Sequence, residues 1–386
     1  MNWKTFGIEV KLHGKFGSIK KANMTIDQID LLNNTYKGKK VFLTGHTGFK
    51  GSWLTFWLYN LGAKVKGYSL SPINQDELYT QMNGDNICES VIGDIRDRDK
   101  LHQEIDIFQP DFVFHLAAQP LVRLSYEIPS ETFEVNAVGT ANVLDGIRKL
   151  NKTCVGVMIT TDKVYENKEW QYPYRETDRL GGYDPYSASK ACAELIISSY
   201  RNSFFNIKTI QIHKKTIAAA RAGNVIGGGD WAKDRIIPDI VNALSNRQAV
   251  TVRNPQAIRP WQHVLEPLGA YLLLGAKLTQ DPIKYGEDWN FGPLADDNLD
   301  VESLVKLAIE VWGAGQYVTP TFKDQPHEAG LLKLDISKGI AELGWKPKWN
   351  AKKAIHYTIN WYKGKSNGIE AKELLKRDLD AYLSEE

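Results

Sequence analysis

The chain carries the run Val41-Phe42-Leu43-Thr44-Gly45-His46-Thr47-Gly48-Phe49-Lys50-Gly51. A short apolar segment leads into three regularly spaced glycines, and residues 52–61 then continue as an apolar helical stretch. Glycines in such a turn let the backbone approach a pyrophosphate, while the helix N-terminus supplies free amides and a partial positive charge. This run predicts the phosphate-binding turn of a dinucleotide domain; a plain strand-to-helix turn is the alternative.

Strand and helix continue to alternate after this turn. Strands are predicted at residues 62–68, 90–94, 112–116 and 155–160, and helices at about 98–108, 132–150 and 187–205. Alternating βα units form parallel sheets with helices on both faces. The sequence therefore predicts an α/β fold with a doubly wound parallel sheet of Rossmann type.

A change in composition predicts a second domain. Beyond Gly227, glycine, proline, tryptophan and arginine become dense through Trp261, and a helix is expected near residues 265–278. We expect a dinucleotide-binding domain over residues 38–225. A smaller, interleaved substrate domain follows over residues 226–386, with some segments returning to the first domain.

Residues 1–37 are predicted to be an N-terminal extension, in part disordered. The first 23 residues are basic and interrupted by glycine, so they carry too little apolar surface to order themselves. Met24 offers an alternative start. A docked extension is the rival interpretation.

The composition excludes several classes of protein. Hydrophobic residues make up 42% and charged residues 24%, with a net charge of +2, so no overall field favours nucleic acid or an anionic membrane. Cys88, Cys154 and Cys192 form no CxxC pair, which predicts reduced thiols, no metal site and a cytoplasmic protein. No apolar run reaches the roughly 18 residues of a membrane helix.

Two positions at the ends of predicted strands bear on the dinucleotide. After the second strand, where an acidic residue often holds the adenosine ribose, the chain has Tyr68-Ser69-Leu70, and Ser69 is the available weak partner. Asp94 ends the third strand. It either contacts the adenine or caps the helix that follows.

Tyr186 and Lys190 are four residues apart, on one face of the predicted helix that follows the strand at residues 155–160. That helix begins at the carboxyl edge of the sheet, where ligands bind in such folds. There a lysine ammonium and a nicotinamide charge would lower the pKa of the Tyr186 phenol and make it a usable acid and base. A surface helix without function is the alternative.

The run Thr160-Thr161-Asp162-Lys163-Val164-Tyr165 resembles the motif of sugar-nucleotide dehydratases in the extended short-chain dehydrogenase/reductase family, except that Lys163 stands where those enzymes carry glutamate. The resemblance extends from about Tyr36 to near the C-terminus and is greatest to the members that act on CDP-D-glucose. Further matching stretches lie at residues 44–53, 115–123, 221–231, 234–238 and 253–264.

The resemblance implies an NAD-dependent lyase that forms CDP-4-keto-6-deoxy-D-glucose, a precursor of deoxy sugars in cell-surface glycans such as the O-antigen of lipopolysaccharide. It implies a homodimer or higher oligomer, usually joined through two helices per subunit. The cofactor-binding residues would be Gly45, Thr47, Gly48, Phe49, Lys50, Gly51, Ser69, Asp94, Ile95, Leu116, Ala117, Ala118, Tyr186 and Lys190. The substrate-binding residues would be Gln119, Arg123, Arg221, Asn224, Trp231, Arg235 and Arg259.

The arginines of the second half have independent support. Arg221, Arg235 and Arg259 lie in loop-like sequence, and planar guanidiniums bind a diphosphate through paired hydrogen bonds. A surface ion pair is the alternative for each arginine. Trp231 and Trp261 either flank the nucleotide base or fill the core.

By the same resemblance, Tyr186 takes the C4 hydroxyl proton while NAD takes the hydride, and Thr161 hydrogen-bonds the same oxygen. Asp162 then protonates the departing C6 hydroxyl. Lys163 either removes the C5 proton as a neutral amine, or stays charged and stabilises the enolate or pairs with Asp162. A 4-epimerase of the same fold and a non-catalytic dinucleotide sensor are the alternative functions.

Overall fold

The computed structural model of the chain describes residues 26–232, 235–297, 299–320 and 331–384. The expectation of poor order for residues 1–23 lies outside these ranges. No helix of the described ranges is long and apolar enough to cross a membrane.

A seven-stranded sheet forms the centre of the molecule, in the order β3-β2-β1-β4-β5-β6-β11, and every pair of neighbours in it is parallel. Its strands are β1 (Lys40–Thr44), β2 (Lys64–Ser69), β3 (Glu89–Ile92), β4 (Phe112–His115), β5 (Cys154–Ile159), β6 (Lys215–Ala222) and β11 (Asp288–Phe291). The short strands are β7 (Val225–Ile226), β8 (Val250–Thr251), β9 (Ile258–Arg259), β10 (Gln262–His263), β12 (Leu299–Asp300) and β13 (Tyr317–Val318). This order confirms the predicted doubly wound fold.

Helices cover both faces of the sheet. In chain order they are α1 (Ile26–Tyr36), α2 (Phe49–Asn60), α3 (Leu78–Gln81), α4 (Arg98–Phe108), α5 (Val122–Glu127), α6 (Pro129–Phe133), α7 (Gly139–Lys149), α8 (Pro185–Ser203), α9 (Ile210–His213), α10 (Ile236–Ser245), α11 (Leu265–Gln280), α12 (Pro282–Tyr285), α13 (Val301–Trp312), α14 (Ala351–Ser366) and α15 (Ala371–Ser384). A π-helical turn at Glu134–Val138 joins α6 to α7, and a second lies at Gly339–Leu343.

The alternation of side chains along each strand explains the two layers of helices. In β1, Val41 and Leu43 belong to the larger hydrophobic core, whereas Phe42 belongs to the smaller core on the opposite face. All three side chains are fully buried. A strand buried on both faces reads as a continuous apolar run, which is why this part of the sheet could be recognised from the sequence.

The last part of the predicted N-terminal extension lies within the described residues. Residues 26–36 form the ordered helix α1, in which Leu32 and Tyr36 are buried. The Tyr36 hydroxyl donates a hydrogen bond of 2.7 Å to the carbonyl of Leu272 in α11. This part of the chain is docked against the core because its apolar face has a partner distant in sequence.

Two sheet strands were not identified from the sequence, β6 and β11. Strand β6 reads Lys-Thr-Ile-Ala-Ala-Ala-Arg-Ala, and its alanines carry little strand preference. Strand β11 follows the change in composition at Gly227 and still pairs with β6 in the main sheet. The division of the chain at residue 225 stays a prediction.

Candidate active site

The glycine turn lies between β1 and α2, at the edge of the sheet where the strand order reverses between β1 and β4. Gly45 has φ +76, and a Cβ on it would lie 2.7 Å from the Ala117 amide nitrogen. A Cβ on Gly51 would lie 2.0 Å from the Gly45 carbonyl oxygen. No side chain caps the start of α2 at Gly48. The turn is thus a close-packed cradle with helix amides at its mouth, which fits a pyrophosphate.

Hydroxyl groups occupy the end of β2, where no acidic residue is present. The Thr47 hydroxyl lies 2.8 Å from the Ser69 hydroxyl and donates to the Leu70 carbonyl at 2.9 Å. This pair lies between the glycine turn and β2. Its role toward a ribose stays a prediction.

Asp94 does not cap α4, so that alternative is wrong. The N-cap of α4 is Asp97, whose carboxylate accepts from the Lys100 amide. The Asp94 carboxylate instead accepts from Arg96 at 3.1 and 2.6 Å, and this guanidinium lowers the pKa of the carboxyl. A contact of Asp94 with adenine stays a prediction.

Of the remaining predicted cofactor residues, those after β4 lie at the same edge of the sheet. Leu116, Ala117 and Ala118 follow β4, and the Ala117 amide donates to the Thr44 hydroxyl at 3.2 Å. Ile95 is buried in the smaller core. Phe49 packs against the larger core.

Tyr186 lies in the first turn of α8, with 8% of its surface exposed. Burial raises the pKa of its phenol to about 12, although the nearby Thr161 side chain acts in the opposite direction. Lys190 and a nicotinamide charge were together expected to lower the pKa of the Tyr186 phenol. With the protein groups alone, this pKa lies above its ordinary value. Burial dominates because the phenolate would lose its hydration.

Lys190 lies one turn further along α8 and is buried. Its ammonium donates to the Ile159 carbonyl at 3.3 Å, and burial lowers the pKa of Lys190 to about 8. The imidazole of His115 hydrogen-bonds with the hydroxyls of Thr44 and Thr140 at 2.8 and 3.0 Å, and burial lowers its pKa to about 3. His115 is therefore neutral beside Lys190.

Asp162 is the buried carboxyl group of the site. Only 3% of the residue is exposed, and burial raises its pKa, although Lys163 and the hydrogen bond from the Thr161 hydroxyl at 3.0 Å oppose the shift. A carboxyl group whose protonated form is favoured can act as a proton donor. Thr161 ends the strand segment as the N-cap of a short 3₁₀ turn, Asp162–Val164, which contains Lys163.

The structure brings Lys50 into the catalytic cluster, although the sequence predicted only a cofactor contact. Burial and the charges of Arg235 and Lys190 lower the pKa of Lys50 to about 7, and the charge of Asp162 opposes the shift. Its ammonium lies 5.9 Å from the ring centroid of Tyr271.

Tyr271, in α11, was missed by the sequence analysis. It is fully buried, and the charges of Tyr186 and Asp162 help to raise the pKa of its phenol, which places it near the catalytic groups. Its hydroxyl has no hydrogen-bond partner among the described residues. A tyrosine in an otherwise apolar helix carries no sequence signal that would have identified it.

The prediction that Arg221 binds the substrate is wrong. Its guanidinium is 1% exposed and pairs with the Glu194 carboxylate through Nε and Nη2, both at 3.0 Å. Nη1 donates to the Tyr165 hydroxyl at 2.8 Å and to the Glu176 carbonyl at 2.9 Å. The arginine lies in β6 inside the protein, and its donors are used there.

The prediction for Gln119 is wrong for the same reason. Its side-chain amide donates to the Leu121 carbonyl at 3.1 Å and to the Thr132 hydroxyl at 3.0 Å, and its oxygen accepts from the Leu121 amide at 2.6 Å. The side chain holds the loop after β4 in place.

The other predicted substrate residues surround the catalytic cluster on loops and helix ends. Arg235 precedes α10 and forms an ion pair with Asp230 at 3.2 Å. Its positive charge helps to lower the pKa of Lys50. The positive charge of Arg259, in β9, opposes the rise that burial causes in the pKa of Asp162. Gly223 lies beside the Asp162 carboxylate, so the loop that carries Asn224 adjoins the acid.

Of the remaining aromatic and basic residues, Trp231 packs edge-on against Tyr362 at 5.1 Å between ring centroids. Trp261 is 6% exposed and belongs to the larger core, which favours the core interpretation for it. Arg123 lies in α5. No group of three or more potential metal ligands occurs in the parts of the chain that the structure describes.

A sequence model of the GDP-mannose 4,6 dehydratase family matches residues 42–358. The chain therefore belongs to this family of nucleotide-sugar dehydratases, which confirms the resemblance read from residues 160–165. It is 48% identical over 351 residues to the CDP-glucose 4,6-dehydratase of Salmonella typhimurium, covering 91% of this chain and 98% of the relative. It is 26% identical to the CDP-paratose 2-epimerase of Salmonella typhi, over 83% of this chain and 98% of the relative.

Two solved structures share the fold. One is a UDP-glucose 4-epimerase from Thermotoga maritima, with a TM-score of 0.73, 20% identity, and coverage of 85% of this chain and 99% of that chain. The other is a dTDP-glucose 4,6-dehydratase from Streptomyces venezuelae with NAD bound, with a TM-score of 0.71, 22% identity, and coverage of 86% and 99%.

Proposed function

We propose that this protein converts CDP-D-glucose to CDP-4-keto-6-deoxy-D-glucose and water. The observation that carries the proposal is the buried carboxyl group of Asp162 beside Thr161 and Tyr186, in a chain 48% identical to a CDP-glucose 4,6-dehydratase. An elimination needs an acid for the leaving hydroxyl, and burial raises the pKa of the Asp162 carboxyl group toward that role.

We propose NAD as the cofactor, held at the glycine cradle of residues 45–51. The close approach of Gly45 and Gly51 leaves room only for backbone, and the amides at the start of α2 suit the pyrophosphate. Ser69 and Asp94 are the groups for the adenosine half, and Tyr186 and Lys190 for the nicotinamide half. Held by these residues, NAD would supply the hydride acceptor for C4 of the sugar and the hydride donor for C6.

Tyr186 removes the proton of the C4 hydroxyl in the oxidation step. The pKa of about 12 in the protein means that further positive charge must stabilise the phenolate, and Lys190 is the nearby lysine on the same helix face. Thr161, whose side chain lowers the pKa of Tyr186, is the group we propose to hydrogen-bond the same sugar oxygen.

The elimination needs a base at C5 and an acid at C6, because the C5 proton becomes acidic only when C4 is a ketone. Asp162 gives its proton to the departing C6 hydroxyl, which leaves as water. Lys163, next to Asp162 in the 3₁₀ turn, is the group proposed to take the C5 proton. In the alternative for Lys163, the charged amine stabilises the enolate while water takes the proton.

The CDP diphosphate is assigned to Arg235 and Arg259, because both charges act on groups of the catalytic cluster. Their guanidiniums suit the paired oxygens of a diphosphate. Arg123, Asn224 and Trp231 are the remaining candidates for contacts with the nucleotide.

A sugar-nucleotide 4-epimerase is the second candidate, because epimerases share the fold. An epimerase needs the tyrosine and lysine but no acid at C6, so the buried Asp162 favours the dehydratase. A non-catalytic dinucleotide sensor would need none of these groups.

The test is to mix the purified protein with CDP-glucose and to develop the 4-keto product with alkali. A chromophore that depends on the protein, with a parallel loss of CDP-glucose, supports the dehydratase. Conversion to CDP-galactose without the keto product would support the epimerase. No reaction in the presence of added NAD would contradict both.

We also propose that the chain forms a homodimer. Leu195, on α8, and Val138, just before α7, expose 61% and 53% of their surface, and both are large apolar side chains. A two-helix face on each subunit can bury such residues against a second copy. Light scattering should give twice the mass of the chain, and Leu195→Glu should give a monomer. A monomeric wild-type protein would exclude the dimer.

A further inference from the structure

A buried ion pair joins Glu194, on the catalytic helix α8, to Arg221, on β6. Glu194 is four residues after Lys190 on α8, so both side chains lie on one face. The Glu194 carboxylate is 1% exposed and accepts two hydrogen bonds of 3.0 Å from Arg221. The Thr160 hydroxyl donates to the same carboxylate.

Lys190 and Glu194 together hold the end of β5. Lys190 donates to the carbonyl of Ile159, and Glu194 accepts from the next residue, Thr160. Lys190 and Glu194, one turn apart on α8, therefore hydrogen-bond with two consecutive residues at the end of the strand. Thr161 and Asp162 follow at once, so this grip sets their position relative to Tyr186 on α8.

Arg221 extends the support to the other end of the catalytic turn. It donates to the Tyr165 hydroxyl at 2.8 Å, and that hydroxyl donates to the Asn290 side chain at 2.7 Å. Residues 160–165 are thus hydrogen-bonded at both ends to groups on α8, β6 and β11. Of these anchoring groups, the sequence predicted a site role for Lys190 and Arg221 but none for Glu194 or Asn290.

Glu194 also supplies a negative charge that acts on Lys190. The ionisable groups coupled to Lys190 are Glu194 on α8, Lys50 on α2 and His115 on β4. His115 is neutral above a pKa of about 3, and the pKa of Lys50 is lowered to about 7. Burial lowers the pKa of Lys190 to about 8, and the charge of Glu194 alone among these groups opposes that shift.

We propose that Glu194, held by Arg221, is a positioning residue that keeps Lys190 protonated and fixes the catalytic turn against α8. This inference rests on the proposed function, in which the charge of Lys190 supports the Tyr186 phenolate. Without Glu194, Lys190 would lose its proton at a lower pH and Tyr186 would lose that support.

The test follows the oxidation step alone as a function of pH. Protein with added NAD is mixed rapidly with CDP-glucose, and the NADH burst is read at 340 nm for the wild type and for Glu194→Gln. We expect the alkaline limb of the burst rate to move about one pH unit lower in the variant, because a nearby opposite charge is lost. KM for CDP-glucose should change by less than about twofold, since Glu194 does not touch the substrate.

Lys66→Met is the matched control. Lys66 is equally buried, on β2, and pairs with Glu89 at 2.9 Å and Glu104 at 2.6 Å, away from the catalytic groups. Its loss should lower the stability without moving the alkaline limb. If Glu194→Gln fails to fold because Arg221 is left unpaired, the double variant Glu194→Gln/Arg221→Gln removes both charges and should show the same shift.

An alkaline limb that stays in place in a folded variant would overturn the inference, and so would an equal shift in the Lys66 control. Failure of the proposed function looks different. In that case the wild-type protein itself forms neither the NADH burst nor the 4-keto product from CDP-glucose.

Discussion

Replacing Gly51 by alanine should disable the nucleotide-binding turn. The added Cβ would lie 2.0 Å from the Gly45 carbonyl oxygen and 2.8 Å from the Cα of His46, and both neighbours are backbone atoms that cannot rotate away. Relief of the overlap requires the start of α2 to move by more than about 1 Å from the turn, because carbon and oxygen rarely approach within about 3.2 Å.

Overpacking of this kind costs about 1–3 kcal/mol of stability. A loss of similar size in binding corresponds to a tenfold to hundredfold weaker affinity for NAD, since about 1.4 kcal/mol is a factor of ten. Urea denaturation measures the first quantity, and calorimetric titration with NAD measures the second. The free energy of unfolding and the affinity for NAD should both be lower in the variant.

Gly339→Ala is the control for the added methyl group. There the Cβ would meet its nearest neighbours at 3.6 Å, an ordinary contact, so stability and NAD binding should be close to those of the wild type. A Gly51→Ala protein with wild-type stability and NAD affinity would refute the argument that the turn is closed by backbone contact.

The remaining predictions concern single side chains. Tyr186→Phe should lower kcat by on the order of 10² to 10⁴ with little change in substrate binding; unchanged turnover would remove Tyr186 from the mechanism. Lys163→Met should stall the reaction after oxidation, so NADH absorbance at 340 nm should accumulate without 4-keto product, and wild-type rates without trapped NADH would show that the amine is not needed. Glu266, fully buried in α11, accepts hydrogen bonds from the amides of Lys348 and Trp349, yet burial raises its pKa from 4.5 to about 7. The folded state therefore binds this proton more tightly than the unfolded state, and the stabilisation present below pH 4.5 is lost as the pH rises through 7, by on the order of 3 kcal/mol. Urea denaturation at pH 5 and pH 7.5 should show this slope in the wild type and a smaller one in Glu266→Gln; equal slopes would contradict the assignment to Glu266.

Local patterns were sufficient where the physical cause is local. The apolar run of β1, the glycines after it and the helix α4 at residues 98–108 were predicted from the sequence and are present in the structure. Strand burial and glycine turns depend on near neighbours in the chain, so their residues carry the information. The spacing of Tyr186 and Lys190 on one helix face is of the same kind.

The partner of a charged side chain depends on distant parts of the chain. Arg221 was assigned to the substrate from its loop-like sequence and the resemblance, and Gln119 from the resemblance alone. The structure gives them Glu194 and Thr132 as partners. Lys50 could be assigned to the glycine turn, but its proximity to Asp162 depends on how β1, β5 and α2 assemble.

The sequence by itself therefore determined the class of fold and the family, because both are encoded in short, regularly spaced segments. Only the tertiary structure decided which ionisable groups are buried, which are paired and which share one site. Burial and pairing follow from long-range contacts, and these set the charge on Asp162, Lys190 and Lys50.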